Sequence, residues 1–310
     1  MKKALIVGHT GQDGFYLYKH LEEQGYVVLG VARQKIKTNS SKSFKAISIH
    51  DALEVYRLLT DFKPDEVYYL AARHHSSQDT IVNDAELFKE SFNVHVLSLI
   101  NFLEGIRNFS KQSRLFYAAS AHIFGDNPPA PQDENTAFNP VCVYGITKAA
   151  GLETCRFYHR QHGVYASVGI LYNHESPRRS AGFLSRKVVE AARAIKNNQM
   201  SELVIGNLNS EVDWGYAPDY VEAMAKILQL PSPNDFIIAS AQTHSVRDFI
   251  KGVFDYLGLS WEKYVREDPG LITKKAKANL CGNNQKLKKM TGWEPRVRFN
   301  ELIKVLVDAP

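Results

Sequence analysis

The chain has few cysteines, no long apolar run and no dense block of one charge, and each shortage removes a class of protein. Its three cysteines, Cys142, Cys155 and Cys281, are odd in number and show no C-x-x-C spacing. That argues against a disulfide framework and against a structural zinc site, so reduced thiols in a cytoplasmic protein are expected. No segment approaches the roughly 18 uncharged apolar residues that cross a bilayer, and the opening run ALIV is too short for the core of a signal peptide. A soluble protein with no membrane partner is the expectation. The formal charge of +5 is a mild basic excess, and the nearest thing to a basic run is Lys274, Lys275 and Lys277. No nucleic-acid partner is expected from so thin a surplus, which suits an anionic small molecule instead. His74 and His75 have no third ligand at metal spacing, so no metal is expected.

What is present reads as an ordinary globular chain, 44% hydrophobic and 23% charged over 310 residues, long enough to bury a substantial core. Short apolar runs alternate with helical spacing. Strands are predicted at residues 4–7, 27–31, 66–70, 114–119 and 165–171, and helices at 15–24, 53–61, 85–108 and 144–162. Strict alternation predicts an α/β fold, a Rossmann-type doubly wound parallel sheet with helices on both faces. After residue 171 the rhythm loosens without a linker. Residues 1–172 with 213–242 are expected to form the dinucleotide-binding domain. Residues 173–212 with 243–310 are expected to form a smaller substrate-binding lobe over the carboxyl ends of the strands, where open sheets bind ligands.

Between the first strand and the first helix lies Gly8-His9-Thr10-Gly11-Gln12-Asp13-Gly14. Glycines at this spacing permit the tight turn, let the backbone approach a pyrophosphate and aim helix amides at it. Gly8, Thr10, Gly11, Gln12, Asp13 and Gly14 are therefore candidate cofactor residues. The second strand runs into Arg33 and Lys35 with no acid to hold a ribose 2′-hydroxyl. NADP is thereby expected, with Arg33 on the 2′-phosphate; the alternative is a pair of solvated bases.

Tyr144 and Lys148 stand four apart on a predicted helix, hence on one face. A phenol is a poor base at neutral pH, and a nearby ammonium is expected to lower its pKa. Such a tyrosine can exchange a proton with a sugar hydroxyl while a nicotinamide moves hydride. At the end of another strand, Ser120 could hydrogen-bond the reacting oxygen, and His122 could move a second proton. The plainer readings are a strand-end cap for Ser120 and a satisfied imidazole for His122.

Taken together, these stretches resemble the GDP-mannose 4,6-dehydratases over nearly the whole chain. The resemblance is carried by GHTGQDG (8–14), YGITK (144–148), LYNHESPRR (171–179), FLSRK (183–187), GNL (206–208), DWGYAPDYVEAM (213–224), HSVRDF (244–249) and GWEPRV (292–297). It implies a nucleotide-sugar substrate, with a GDP-sugar favoured, oxidised at C4, losing water across C5 and C6, and taking the hydride back at C6. By position it implies Tyr144 as the C4 base, Lys148 as its partner and Ser120 where the family has threonine. Asn173 and Lys187 match substrate-contacting positions. A homodimer or homotetramer is expected. The chain departs from the family where His122 replaces a glutamate that removes the C5 proton and Val212 an arginine. Residues 273–276 (TKKA) stand for R-P-T-E, and Ser48 for an aspartate at the adenine end of the cofactor. Arg73 or His74, after the third strand, could supply the missing phosphate contact, or could be polar loop residues. The competing functions are a C4 epimerase or 4-ketoreductase on the same scaffold, and a non-catalytic nucleotide-sugar or NADP sensor.

Overall fold

The computed structural model describes residues 1–32, 44–73, 83–126, 128–271 and 280–309. Arg33, Lys35, His74 and residues 273–276 lie outside these. In chain order the first half runs β1 (Lys3–Val7), α1 (Gln12–Glu23), β2 (Val27–Ala32), β3 (Phe44–Ala46), α2 (Ala52–Phe62), β4 (Glu66–Tyr69), α3 (Asp84–Phe92), α4 (Ser98–Phe109), β5 (Arg114–Ser120), α5 (Val143–His162) and β6 (Ala166–Leu171). The second half runs β7 (Asn173–Glu175), α6 (Leu184–Lys196), β8 (Leu203–Ile205), β9 (Glu211–Tyr216), α7 (Ala217–Ile227), β10 (Asp235–Ile238), β11 (Thr243–Ser245), α8 (Val246–Tyr256), β12 (Val265–Glu267), α9 (Gln285–Thr291) and α10 (Phe299–Asp308).

Seven strands form one sheet in the order β10-β6-β5-β4-β1-β2-β3, every pair parallel. Because parallel crossovers place helices on both faces, the strands must be apolar on both sides. The run ALIV of β1 shows the division. Leu5 and Val7 pack with the cluster under α2, α4 and α5, while Ala4 and Ile6 pack with the cluster under α1 and α7. α1, which follows β1, and α4, which comes after α3 beyond β4, thus lie on opposite faces of the sheet. The order reverses at these two strands, and their carboxyl ends open the crevice in which doubly wound sheets hold ligands.

A third core belongs to the second half. Val188 and Ile195 of α6, Phe249 and Phe254 of α8, Leu306 of α10 and Trp214 of β9 build it beside a three-stranded sheet, β11-β9-β7, and the pair β12-β8. The buried carboxylate of Asp213 on β9 fastens this unit to the main sheet. It accepts from the Ser240 amide and hydroxyl, and from the amides of Ala241 and Gly282. Burial nevertheless lifts its pKa to about 6. The C-terminal stretch crosses back between the units, with Leu287 of α9 and Trp293 packed under α1 and α7.

The helix predicted over residues 85–108 is interrupted. A π-helical turn, Asn93–Leu97, separates α3 from α4. The Ser98 amide bonds the Asn93 carbonyl five residues back, and the Ser98 hydroxyl donates to the same oxygen at 2.7 Å. The extra residue in the turn accompanies a fully buried His95. Spacing of apolar residues cannot show such an insertion, because the helix resumes with its buried face intact.

Candidate active site

Gly8 closes β1 with φ +94°, and a Cβ there would lie 2.8 Å from the backbone nitrogen of Ala71, just past β4. Only glycine lets the two strand ends approach so closely. α1 then begins at Gln12 with Gly11 at its N-cap and no side-chain cap on its amides. Those amides, at the carboxyl edge of the sheet, suit a pyrophosphate, so the turn fits a dinucleotide. Gly8→Ala is expected to cost of order 1–3 kcal/mol of stability through backbone strain alone. It should also abolish cofactor binding, checked by denaturant unfolding alongside a cofactor titration; unaltered affinity would remove the turn from the site.

Behind the turn stands an ion pair that spans the fold. Both oxygens of Asp13 lie 3.0 Å from His174 Nε2, while Nδ1 lies 2.7 Å from the Tyr172 carbonyl. The ring stacks on Tyr220 at 4.6 Å. Gln12 donates to the His174 carbonyl and accepts from the Ser176 hydroxyl. Burial by itself would raise Asp13, but the charge and hydrogen bond of His174 outweigh it and hold the carboxyl below its usual range. Burial would likewise lower His174, and Asp13 raises it instead. A raised histidine contributes stability in full below its unfolded value of 6.5, and loses it as pH climbs through the folded value. The depressed Asp13 contributes above its unfolded value of 3.8, and loses its share as pH falls below that. The difference in Tm between the native chain and His174→Asn should therefore shrink as pH is raised beyond about 6.5. A constant difference from weakly acid to weakly alkaline pH would contradict the pair's charge.

On α5, Lys148 is fully buried, donates to the Ala118 carbonyl of β5 at 2.7 Å, and lies 5.6 Å from the centre of the Tyr144 ring. Burial pulls its ammonium down to about 7, with the Asp13 carboxylate opposing. Burial also pushes the Tyr144 hydroxyl above the ordinary phenol range, the Arg179 charge opposing and the Asp13 charge adding. The lowering expected from the neighbouring lysine is not found in the chain by itself: burial, which disfavours a phenolate, sets the direction, and the opposing charge comes from Arg179. Ser120 ends β5 and its oxygen accepts from the His122 amide at 3.3 Å, which leaves its own O–H to donate. His122 is exposed on the following 3₁₀ turn, its ring 5.9 Å from the Tyr144 ring and nearly perpendicular to it. Gly145 explains that proximity. A Cβ there would sit 2.5 Å from the His122 carbonyl oxygen, so the glycine lets α5 abut the turn.

Other candidates are less concentrated. Asn173 is exposed on β7, and Lys187 donates to the Val204 carbonyl at 3.2 Å. Arg73 ion-pairs with Glu90 at 2.7 Å. Val212 packs against the core of the second unit, with no charge to offer a phosphate. From LYNHESPRR the sequence reading took only Asn173. The structure adds His174 and Arg179, whose guanidinium covers the Phe183 ring at 3.7 Å and pairs with the buried Glu175 at 3.1 Å. The signal available for these was a polar run directly after a fully buried strand.

A parallel sheet ordered in this way, with a glycine turn at its switch point and a tyrosine–lysine pair on the neighbouring helix, defines a nucleotide-cofactor enzyme of the short-chain dehydrogenase/reductase class. The pattern of the GDP-mannose 4,6 dehydratase family matches residues 5–306, and the chain belongs to that family. It is 36% identical to GDP-mannose 4,6 dehydratase 1 of Arabidopsis thaliana over 99% of this chain and 89% of the relative. Among solved structures it superposes on UDP-glucose 4-epimerase of Thermus thermophilus in complex with NAD, with TM-score 0.84, 22% identity, and 99% and 98% of the two chains covered. RMD from Pseudomonas aeruginosa complexed with NADPH gives TM-score 0.79 at 17% identity over 99% and 98%. These two likenesses concern the fold.

Proposed function

We propose that this protein is an NADP-dependent nucleotide-sugar 4,6-dehydratase acting on a GDP-hexose. The observation that carries the reading is the tyrosine–lysine pair of α5 with the His122 ring 5.9 Å from the Tyr144 ring, in a chain of the GDP-mannose 4,6-dehydratase family. Gly8, Thr10 and Gly11 with the backbone amides of Gln12, Asp13 and Gly14 would hold the pyrophosphate, the Asp13 carboxylate serving only to anchor the turn to His174, and Arg33 would hold the 2′-phosphate. Bound NADP supplies the hydride acceptor at C4 and the donor at C6, and its oxidised ring adds a positive charge that favours the phenolate.

The residues then divide the proton work. Tyr144 takes the proton from O4 as the C4–H bond breaks, with Ser120 donating to the same oxygen and Lys148 supporting the phenolate. The C4 ketone acidifies C5–H, and the neutral imidazole of His122 removes that proton. The resulting imidazolium protonates O6, so that C6–O breaks and water leaves. His122, reprotonated from water, then returns a proton to C5 as hydride reaches C6, and Tyr144 releases the O4 proton to solvent, which completes the 4-keto-6-deoxy sugar. Arg73, His74, Asn173 and Lys187 are assigned to the nucleotide sugar.

The test is incubation of the holoenzyme with a panel of nucleotide sugars, reading the mass loss of one water. Retained substrate mass for every sugar would overturn dehydration. The second reading, a C4 epimerase or 4-ketoreductase, is favoured by His122 standing at the family's glutamate position. Cofactor choice is tested separately. NADP should bind more tightly than NAD, and Arg33→Asp should narrow or reverse the preference by equilibrium titration; equal affinities in the native chain would refute it.

A homodimer or homotetramer is also proposed, supported by Leu97, Phe109 and Phe157, exposed on the π-turn, α4 and α5. A cytoplasmic location is supported by three free cysteines. Among the described residues no helix is long and apolar enough to cross a membrane.

A further inference from the structure

His95 is a fully buried polar side chain that the proton transfers above leave unused. The backbone N–H of Arg73 lies 2.9 Å from its Nε2. An amide can only donate, so Nε2 accepts and the ring proton sits on Nδ1. Nδ1 is 2.8 Å from Thr147 Oγ1 and therefore donates to it. The threonine hydroxyl in turn donates to the carbonyl of Val143 at 2.9 Å or of Tyr144 at 3.1 Å. The hydrogen bonds thus run in one direction, from the loop after β4 to the turn of α5 that carries Tyr144 and Lys148. The imidazole also lies nearly perpendicular to the Tyr144 ring, at 5.4 Å and 87°.

We propose that His95 is a positioning residue, which holds Tyr144 at its reacting position through Thr147. The inference rests on the reading of Tyr144 and Lys148 as the catalytic pair. The π-turn is the device that delivers it, since the inserted residue accompanies an imidazole turned from the helix into the gap beside α5. Thr147 is one residue from Lys148 and three from Tyr144, so its hydroxyl is fixed to the helical turn they share. The other end of the strut is the loop whose Ala71 faces Gly8. His95 therefore ties the tyrosine to the same backbone that shapes the cofactor turn. A displacement of about 1 Å in a reacting group can cost a hundredfold in rate.

The experiment uses the NADP-loaded protein and a GDP-hexose, and follows single-turnover reduction of the bound nicotinamide. His95→Phe keeps the ring and loses both hydrogen bonds; Thr147→Val keeps the shape and loses the acceptor. Each should slow reduction about tenfold or more, and in Thr147→Val, which leaves the bond from the Arg73 amide to His95 in place, sugar affinity should stay within about twofold. Thr147→Ser, which keeps the hydroxyl, should recover most of the rate. The double variant should be no slower than the worse single one, because both cut the same strut. Reduction by His95→Phe at the native rate, or losses that multiply in the double variant, would overturn the proposal. A parallel measurement needs no turnover: the titration of Tyr144 in holoprotein carrying ring-labelled tyrosine, read by NMR. It should be displaced in His95→Phe and Thr147→Val and restored in Thr147→Ser; coincident titrations in all four proteins would reject the strut. If the native protein reduces no cofactor with any GDP-hexose, the proposed function fails, and the titration alone decides the role of His95.

Discussion

Tyr144→Phe is expected to lower turnover on the order of a hundredfold or more while NADP affinity is kept. The substitution removes one oxygen and little else. Phenylalanine preserves the ring that His95 meets at 5.4 Å, that His122 meets at 5.9 Å and over which Lys148 lies at 5.6 Å. Packing and the cofactor turn should therefore survive, and the loss should fall on the chemical step. The buried hydroxyl is held above the ordinary phenol range, so in the resting chain it is a proton donor. Its service as a base depends on positive charge arriving beside it. Single-turnover reduction of bound NADP, with a cofactor titration on the same sample, measures both halves. Turnover at the native rate would end the assignment of proton transfer at C4 to this residue.

The second large effect is expected from His122→Ala. The side chain is exposed and lies on a short turn, so its removal should cost little stability. The Ser120 cap accepts from the His122 backbone amide, which alanine retains. What disappears is the imidazole beside Tyr144. Deuterium incorporation at C5 in heavy water and loss of water from the sugar should both stop, while hydride transfer from C4 continues. His122→Glu should recover part of the dehydration by supplying a carboxylate. Unchanged incorporation in the alanine variant removes His122 from the mechanism. C4 oxidation without any C5 exchange in the native protein would instead favour the epimerase or ketoreductase reading.

Gly145 connects these two residues, and its neighbourhood shows how far sequence reaches. The four-residue spacing of Tyr144 and Lys148 is legible because a helix repeats every 3.6 residues. The meeting of His122 with Tyr144 is not, since it depends on a missing Cβ against a carbonyl from a different element. The glycine turn was equally legible, as strand, turn and helix are local. Its partner His174 was not, because the Asp13 contact joins residues 161 apart.

The sequence by itself determined the alternation of strands and helices, the glycine turn, the placing of Tyr144 and Lys148 on one helical face, and the resemblance to the family. All of these are set by local periodicity, turn chemistry or runs of residues that need no neighbour to be read. The tertiary structure alone decided the ion pair of Asp13 with His174, the π-turn that accompanies the burial of His95 beside Thr147, and the descent of Lys148 to about 7. Desolvation is the common reason. Whether an ammonium, a phenol or an imidazole sits in water or among buried strands depends on what the rest of the chain brings against it, and that is settled only when distant segments pack.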